Sequence, residues 1–212
     1  MIQKIDSKKR TLIVDGSILI YRIASALEQA TQWEDDMWTL HADLKLGKKV
    51  LDTSLRNYQD KLNCNKTIIA QDHTNNFRLD FFPAYKSHRK KVRKPIIVKP
   101  LKEYLAKNYE TLTFPNLEGD DVCGIYATRP ENEGKVVVLS GDKDLRTIPG
   151  IHHFVHDEST EVVDEKTANY NFMYQTLVGD LTDNFGGCPK IGGVKASRIL
   201  ANKKDLPEMW EA

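Results

Sequence analysis

Three short runs of consecutive apolar residues punctuate the chain, and each ends on an acidic turn. Thr11-Leu12-Ile13-Val14 stops at Asp15-Gly16-Ser17, Thr67-Ile68-Ile69-Ala70-Gln71 stops at Asp72, and Val136-Val137-Val138-Leu139 stops at Ser140-Gly141-Asp142. Continuous β-branched runs of this length predict strands buried on both faces. Helical spacing takes over between them: Ile18 to Ala30 follows the first turn, a helix opens at Leu117-Glu118-Gly119-Asp120-Asp121 and runs to about Thr128, and helical stretches recur from Pro95 to Lys107. Trp33, Met37 and Trp38 are expected to pack a helix. Strands alternating with helices predict an α/β fold with a mostly parallel central sheet, whose ligands sit beyond the carboxyl ends of the strands.

That topology gives the acids their meaning. A single Asp after a strand is most simply a turn residue or a helix cap, but here every apolar run delivers one to the same edge. Glu118 and Asp121, three apart at a helix start, share a face with Asp120 between them, and Asp180 and Asp183 repeat that spacing in Gly179-Asp180-Leu181-Thr182-Asp183-Asn184. Such acidic clusters repel one another unless a cation neutralises them. Carboxylates without an accompanying His or Cys cluster are hard oxygen ligands, so the ions implied are Mg²⁺ or Mn²⁺ rather than zinc.

Composition narrows the reading further. With 212 residues, 40% hydrophobic and 29% charged, the chain is long enough for one sizeable core, and its formal charge of +1 hides a strong segregation. No acid lies between Asp80 and Glu103, where Lys86, Arg89, Lys90, Lys91, Arg93, Lys94, Lys99 and Lys102 all fall. Acids in one place and bases in another suit a polyanion brought to a metal. The tract from Tyr85 to Pro95 is too charged to bury, so with the helical stretch after it this segment reads as a basic arch over about 82–107, with Phe81 and Phe82 expected in the core as its anchors. Cys64, Cys123 and Cys188 have no paired spacing and read as free thiols. The polar N-terminus and the lack of a long apolar run predict a soluble, cytoplasmic protein. The histidines show no ligand spacing and read mostly as surface or turn residues. Ser17 and Ser140 lack a His–Asp partner, which disfavours a serine hydrolase.

Five ordered motifs carry a resemblance: Ile13-Val14-Asp15-Gly16-Ser17, Tyr85-Lys86-Ser87-His88-Arg89, Leu117-Glu118-Gly119-Asp120-Asp121, Ser140-Gly141-Asp142-Lys143-Asp144 and Gly179-Asp180-Leu181-Thr182-Asp183-Asn184. From about Thr11 to about Leu200 the chain resembles the 5′ nuclease superfamily, the flap endonucleases and 5′-3′ exonucleases, and most closely its bacteriophage branch. The resemblance implies a PIN-like nuclease core over 1–178 with the arch, followed by a short helix–hairpin–helix DNA-binding region over 179–212. It implies that Asp15, Asp72, Glu118, Asp120, Asp121, Asp142, Asp144, Asp180 and Asp183 line one pocket holding two or more divalent ions that clamp the scissile phosphate.

On the same resemblance Lys86 and Arg89 offset charge on the transition state, and Tyr85 is available to stack on a terminal base. Arg22, Lys90, Lys91, Arg93 and Lys94 are expected near substrate phosphates. Gly187, Gly192, Gly193 and Lys195 would hold the duplex backbone through a glycine-rich hairpin with a possible K⁺ site, although Lys190 stands where the usual pattern has a glycine and Val194 where a basic residue is commoner. The implied activity is hydrolysis from 5′ ends of duplex DNA, at 5′ flaps and on RNA–DNA hybrids during primer removal or host DNA degradation. A PIN-like ribonuclease, or a noncatalytic binder of branched DNA on the same fold, are the alternatives.

Overall fold

The computed structural model describes residues 10–203 and 205–211; residues 1–9, Lys204, Ala212 and the side chain of Lys90 lie outside the description. Its centre is a six-stranded sheet. Strand β1 (Arg10–Asp15) leads into helix α1 (Gly16–Leu27), and a hairpin of β2 (Gln29–Gln32) and β3 (Trp38–His41) precedes α2 (Leu44–Lys61). Next come β4 (Cys64–Ala70), the single turn α3 (Arg78–Phe81), α4 (Val98–Asn108), β5 (Thr111–Leu112), α5 (Gly119–Ala127) and β6 (Val136–Ser140). The chain continues through β7 (Gly150–Phe154), β8 (Ser159–Val163), α6 (Glu165–Val178), α7 (Gly193–Ile199) and α8 (Leu206–Trp210).

The sheet order is β5-β4-β1-β6-β7-β8, parallel throughout except for β8, which returns antiparallel along β7. The three acid-tipped runs are therefore neighbours: β1 lies between β4 and β6, with Val14 opposite both Ile69 and Leu139. Central parallel strands are covered on both faces, and so all five residues of β6 are buried. One face packs α1, α2 and α4 through Leu19, Ile23, Leu51, Leu55, Leu101 and Leu105. The other packs α5 through Val122, Cys123 and Ala127 against Ile13, Ile68 and Val138.

Several expectations need correction. The helix α4 is no part of an arch: Leu101 and Leu105 are fully buried in the main core. The basic segment free of the core is thus shorter than 82–107, ending where Ile97 turns inward. Helix α1 stops at Leu27, and Trp33, Met37 and Trp38 are not buried against a helix but stand largely exposed on and beside the β2–β3 hairpin, with Trp33 60% and Trp38 56% exposed. Phe81 is no core anchor either, at 71% exposed. His152 and His153 are buried on β7 rather than at the surface. A small second core joins α6, α7 and α8 through Met173, Leu200 and Met209, so the C-terminal unit draws on α6 and reaches back before residue 179. Among the described residues no helix is long and apolar enough to cross a membrane.

Candidate active site

Each central strand hands its terminal acid to the same crevice. Asp15 ends β1 and caps α1, accepting from the amides of Ser17 at 3.1 Å and Ile18 at 3.4 Å. Asp72, two residues past β4, accepts from Ser17 Oγ at 2.6 Å and from the Gly119 amide at 2.9 Å, which locks the β1, β4 and α5 segments together. Ser140 at the end of β6 closes the circle: its hydroxyl donates to Asp15 Oδ2 at 3.3 Å and accepts from the Asp142 amide at 3.0 Å. At the start of α5, Asp121 turns back to accept from the Glu118 amide at 3.0 Å.

The cost of this convergence shows in the protonation of the acids. Burial, with the Asp72 charge added, pushes Asp15 up to about 6. Burial, with Asp121 and Glu118 nearby, pushes Asp120 up to about 7. A second group sits beside the first. Asp142 caps a 3₁₀ turn over Lys143–Thr147 and accepts from the Asp144 amide at 2.9 Å, while Asp144 is held by the side-chain amide of Gln175 on α6. Burial and the charges of Asp142 and Asp180 push Asp144 up to about 6. Asp180 goes the other way: burial raises it, but hydrogen bonds from Thr182 and the nearby Lys143, 3.4 Å away, outweigh that and hold it below the ordinary value.

A cationic face meets these acids. Lys86 adopts a left-handed backbone conformation at φ 48°, uncommon for a residue with a side chain, and sends Nζ to Glu118 at 3.0 and 3.1 Å, with Asp183 at 3.7 Å. Arg89 donates to Asp183 Oδ1 at 3.1 Å and to the Thr182 carbonyl at 3.0 Å. Backbone and side-chain bonds stitch the two loops together, from the Lys86 amide to the Asp183 carbonyl at 3.2 Å and from Asn184 to the Ala84 carbonyl at 3.0 Å. The base of the basic segment is therefore fastened directly to the 180–184 loop.

Tyr85 does not lie free to stack. It is 8% exposed, its hydroxyl donates to Glu118 Oε2 at 2.5 Å, and Arg78 and Lys86 stand against its ring at 5.6 and 4.7 Å. Burial together with that carboxylate pushes its phenol well above the ordinary range. Arg22 points elsewhere, donating to the Val155 carbonyl at 2.6 Å. Arg93 is engaged by Glu28 at 2.5 and 3.0 Å. Lys91 and Lys94 are exposed, and the side chain of Lys90 lies outside the description.

In the hairpin after α6, Gly187 is required by the fold itself. Its φ is +64°, and a Cβ there would stand 2.5 Å from the Gly179 amide nitrogen. Gly193 faces the Tyr174 hydroxyl, whereas Gly192 opens to free space. Lys190, at the position where a glycine was expected, takes the left-handed conformation at φ 64°, and Lys195 donates to its carbonyl at 3.0 Å.

Three residues that hold the site escaped sequence reasoning. Arg78 grips Asp121 with both guanidinium nitrogens at 2.8 and 2.7 Å, Gln175 fixes Asp144, and Ser140 bridges Asp15 to Asp142. Only Ser140 left a local signal, as the first residue of an acidic turn. The donor set suits hard divalent cations, being carboxylate throughout, and burial with mutual repulsion added already raises several members. Among the described residues no three His, Cys, Asp or Glu side chains stand together as a formed cage. Arg78, Lys86, Arg89 and Lys143 instead hold Asp121, Glu118, Asp183 and Asp180, the neutralising role an ion would take.

A mostly parallel sheet with acids gathered at its carboxyl edge, faced by lysine and arginine, matches the 5′ nuclease fold. The structure of the bacteriophage T5 flap endonuclease, solved as a pseudo-enzyme-product complex with DNA and metal ions, superposes with a TM-score of 0.74 at 16% identity, covering 95% of this chain and 78% of that one. The chain belongs to the family described as 5′-3′ exonuclease, N-terminal resolvase-like domain, which it matches over residues 10–173. An exodeoxyribonuclease of Enterobacteria phage T3 is 31% identical over 193 residues, 87% of this chain and 64% of its own length. The exonuclease of Escherichia phage T7 is 31% identical over 192 residues, 84% of this chain and 63% of its length. The chain thus spans a little under two thirds of these two phage relatives.

Proposed function

We propose that this protein is a divalent-metal-dependent 5′-3′ exonuclease and flap endonuclease that hydrolyses DNA phosphodiesters from 5′ ends. The observation that carries the reading is the linkage of the acids at one sheet edge, Asp72 tied to the β1 and α5 turns through Ser17 and Gly119, and Asp15 to Asp142 through Ser140, with Lys86 held on Glu118 and Arg89 on Asp183. Family membership and the named activities of the phage relatives support it.

In this reading Asp15, Asp72, Glu118, Asp120, Asp121, Asp142, Asp144, Asp180 and Asp183 hold the ions, with Mg²⁺ the natural occupant and Mn²⁺ a substitute. The bound ions supply an activated water and charge neutralisation at the scissile phosphate. The chain's own groups do the rest. Lys86 and Arg89, held by Glu118 and Asp183 in the free protein, transfer to the phosphate and stabilise the charge that grows on its oxygens. Tyr85 braces Glu118 by its short hydrogen bond and buttresses Lys86 by ring contact. Ser140 and Ser17 fix the orientation of Asp15 and Asp72.

Exposed Lys91 and Lys94 extend the cationic face along the entering strand. The α6–α7 connection, with Gly192 open to solvent and Lys195 beside it, is the element we assign to the duplex backbone, with K⁺ as a candidate ion there. RNA–DNA hybrids fall within the same substrate class, since the sheet-edge site engages phosphate. The deciding experiment is product analysis on matched blunt, gapped, flap and hybrid substrates carrying a 5′ label, with Mg²⁺ and with EDTA. Mg²⁺-dependent release of short 5′-phosphorylated products supports the reading, and binding without cleavage on every substrate overturns it.

A further inference from the structure

Five of the chain's seven phenylalanines gather around one cleft beside the acids: Phe77, Phe81, Phe82, Phe172 and Phe185 line a space of about 570 Å³. This falls in the usual range for small-molecule sites of about 300–1,000 Å³ and is too small for a duplex. The rings are not a buried core, since Phe81 is 71%, Phe172 45% and Phe185 44% exposed. Rings left facing solvent cost hydration free energy, and a cluster of them marks a surface that something else covers.

The walls are held in register with the carboxylates. Phe185 is fixed by reciprocal backbone bonds to Asp180, each 2.8 Å. Phe172 lies three residues before Gln175, on the same face of α6, and the Gln175 amide holds Asp144. Phe77 and Phe81 flank Arg78, whose guanidinium is fixed to Asp121 and lies 4.8 Å from the Phe77 ring centroid. Asp144, Asp180 and Asp183 form the edge that the cleft shares with the acidic site. A hydrocarbon ligand would desolvate those carboxylates without recompense. A nucleobase offers ring faces to the phenylalanines and a polar edge to the acids, and it arrives joined to a phosphate.

We propose that this cleft receives one unpaired nucleobase of the strand being cut, stacked among Phe81, Phe172 and Phe185, and so sets the register of the scissile phosphate over the acids. The proposal rests on the nuclease reading and names a subsite within it. Stacking on aromatic side chains is worth about 1–3 kcal/mol per base, or about 5- to 150-fold in binding or rate.

The test uses 5′-labelled flap and gapped DNA in which a single abasic residue is stepped through the nucleotides around the cut. Wild type is compared with Phe81→Ala/Phe172→Ala and with Phe81→Leu/Phe172→Leu, which keep the apolar surface but not the rings. Wild type is expected to lose about tenfold in single-turnover rate at one abasic position. Both variants should show that loss on intact DNA and none further at that position. In a second arm 2-aminopurine replaces the base there and is read by fluorescence in EDTA, with quenching expected for wild type and not for the variants.

Equal rates for wild type and variants on intact DNA overturn the proposal and assign the rings to contact with protein. A loss in the variants that is the same at every abasic position also overturns it, because the rings would then be structural. If wild type cleaves no substrate, the nuclease reading fails, and the fluorescence arm still decides whether a base enters the cleft.

Discussion

Arg78 holds Asp121 by a two-pronged contact, Nη1 to Oδ2 at 2.8 Å and Nη2 to Oδ1 at 2.7 Å. It joins the turn α3 to the first turn of α5 across 43 residues of chain and keeps the Asp121 carboxyl below its ordinary value against the burial that would raise it. Planar two-point recognition is a property of guanidinium that an ammonium group lacks. Arg78→Ala should therefore destabilise the fold by about 2 kcal/mol, because a half-buried carboxylate loses its partner. Arg78→Lys should recover less than half of that. Denaturant unfolding of the three proteins checks this, and equal midpoints for wild type and Arg78→Ala would contradict it.

Under the proposed function, Lys86 is the residue at which chemistry and binding can be separated. It contacts Glu118 and Asp183 from a left-handed backbone position at φ 48°. Lys86→Ala should lower the single-turnover cleavage rate by about 10²- to 10³-fold, the size expected when a preorganised positive group is removed from the reacting centre. The dissociation constant for the same DNA in Ca²⁺ should change by less than about fivefold, since a single phosphate contact is lost. A variant weakened in binding alone would make Lys86 a docking residue.

Protonation of the buried acids gives the metal-free protein an inverted pH response. Asp120 at about 7, with Asp15 and Asp144 each at about 6, all titrate above the ordinary carboxyl value near 4. Between those limits these three acids bind more protons in the folded chain than in the unfolded one, so their share of the stability falls as pH rises from about 4 to about 7. Burial holds His152 and His153 below the ordinary imidazole value and works the other way by less. Thermal unfolding in EDTA should show a higher midpoint at pH 5 than at pH 8. Asp120→Asn should gain more at pH 8 than at pH 5, by about 2 kcal/mol.

Divalent ions should reverse that slope. Ions bind ionised carboxylates, so Mg²⁺ uptake at pH 6.5 releases protons, and calorimetric heats should differ between buffers of different ionisation enthalpy. Mg²⁺ should raise the unfolding midpoint of wild type at pH 8 and leave that of Asp120→Asn nearly unmoved. A wild-type midpoint indifferent to Mg²⁺ would count against a site built on these acids.

The glycines after α6 have separable duties. Gly187→Ala places a Cβ 2.5 Å from the Gly179 nitrogen at a φ of +64° and should cost more than about 2 kcal/mol of stability. Gly192 meets nothing within 4 Å, so Gly192→Ala should fold as well as wild type. A several-fold loss of duplex affinity in Gly192→Ala at unchanged stability would support close phosphate approach at this connection, and unchanged affinity would remove Gly192 from the interface.

By itself the sequence determined the three central strands of the sheet and the edge at which their acids gather. Apolar runs ending at Asp15, Asp72 and Asp142 specify strands and turns locally, and parallel strands present their ends on one edge. Spacing likewise predicted that Glu118 and Asp121 share a helix start. The partners of those acids were settled only by tertiary packing. Arg78 with Asp121 and Gln175 with Asp144 join residues 43 and 31 apart, and no local period relates positions so separated. Burial was decided in the same way: Tyr85 turned inward to Glu118, Phe81 and Trp38 were left outside, and α4 joined the core. Hydrophobicity states what a side chain favours, while the neighbours that arrive from elsewhere in the chain determine whether it is covered.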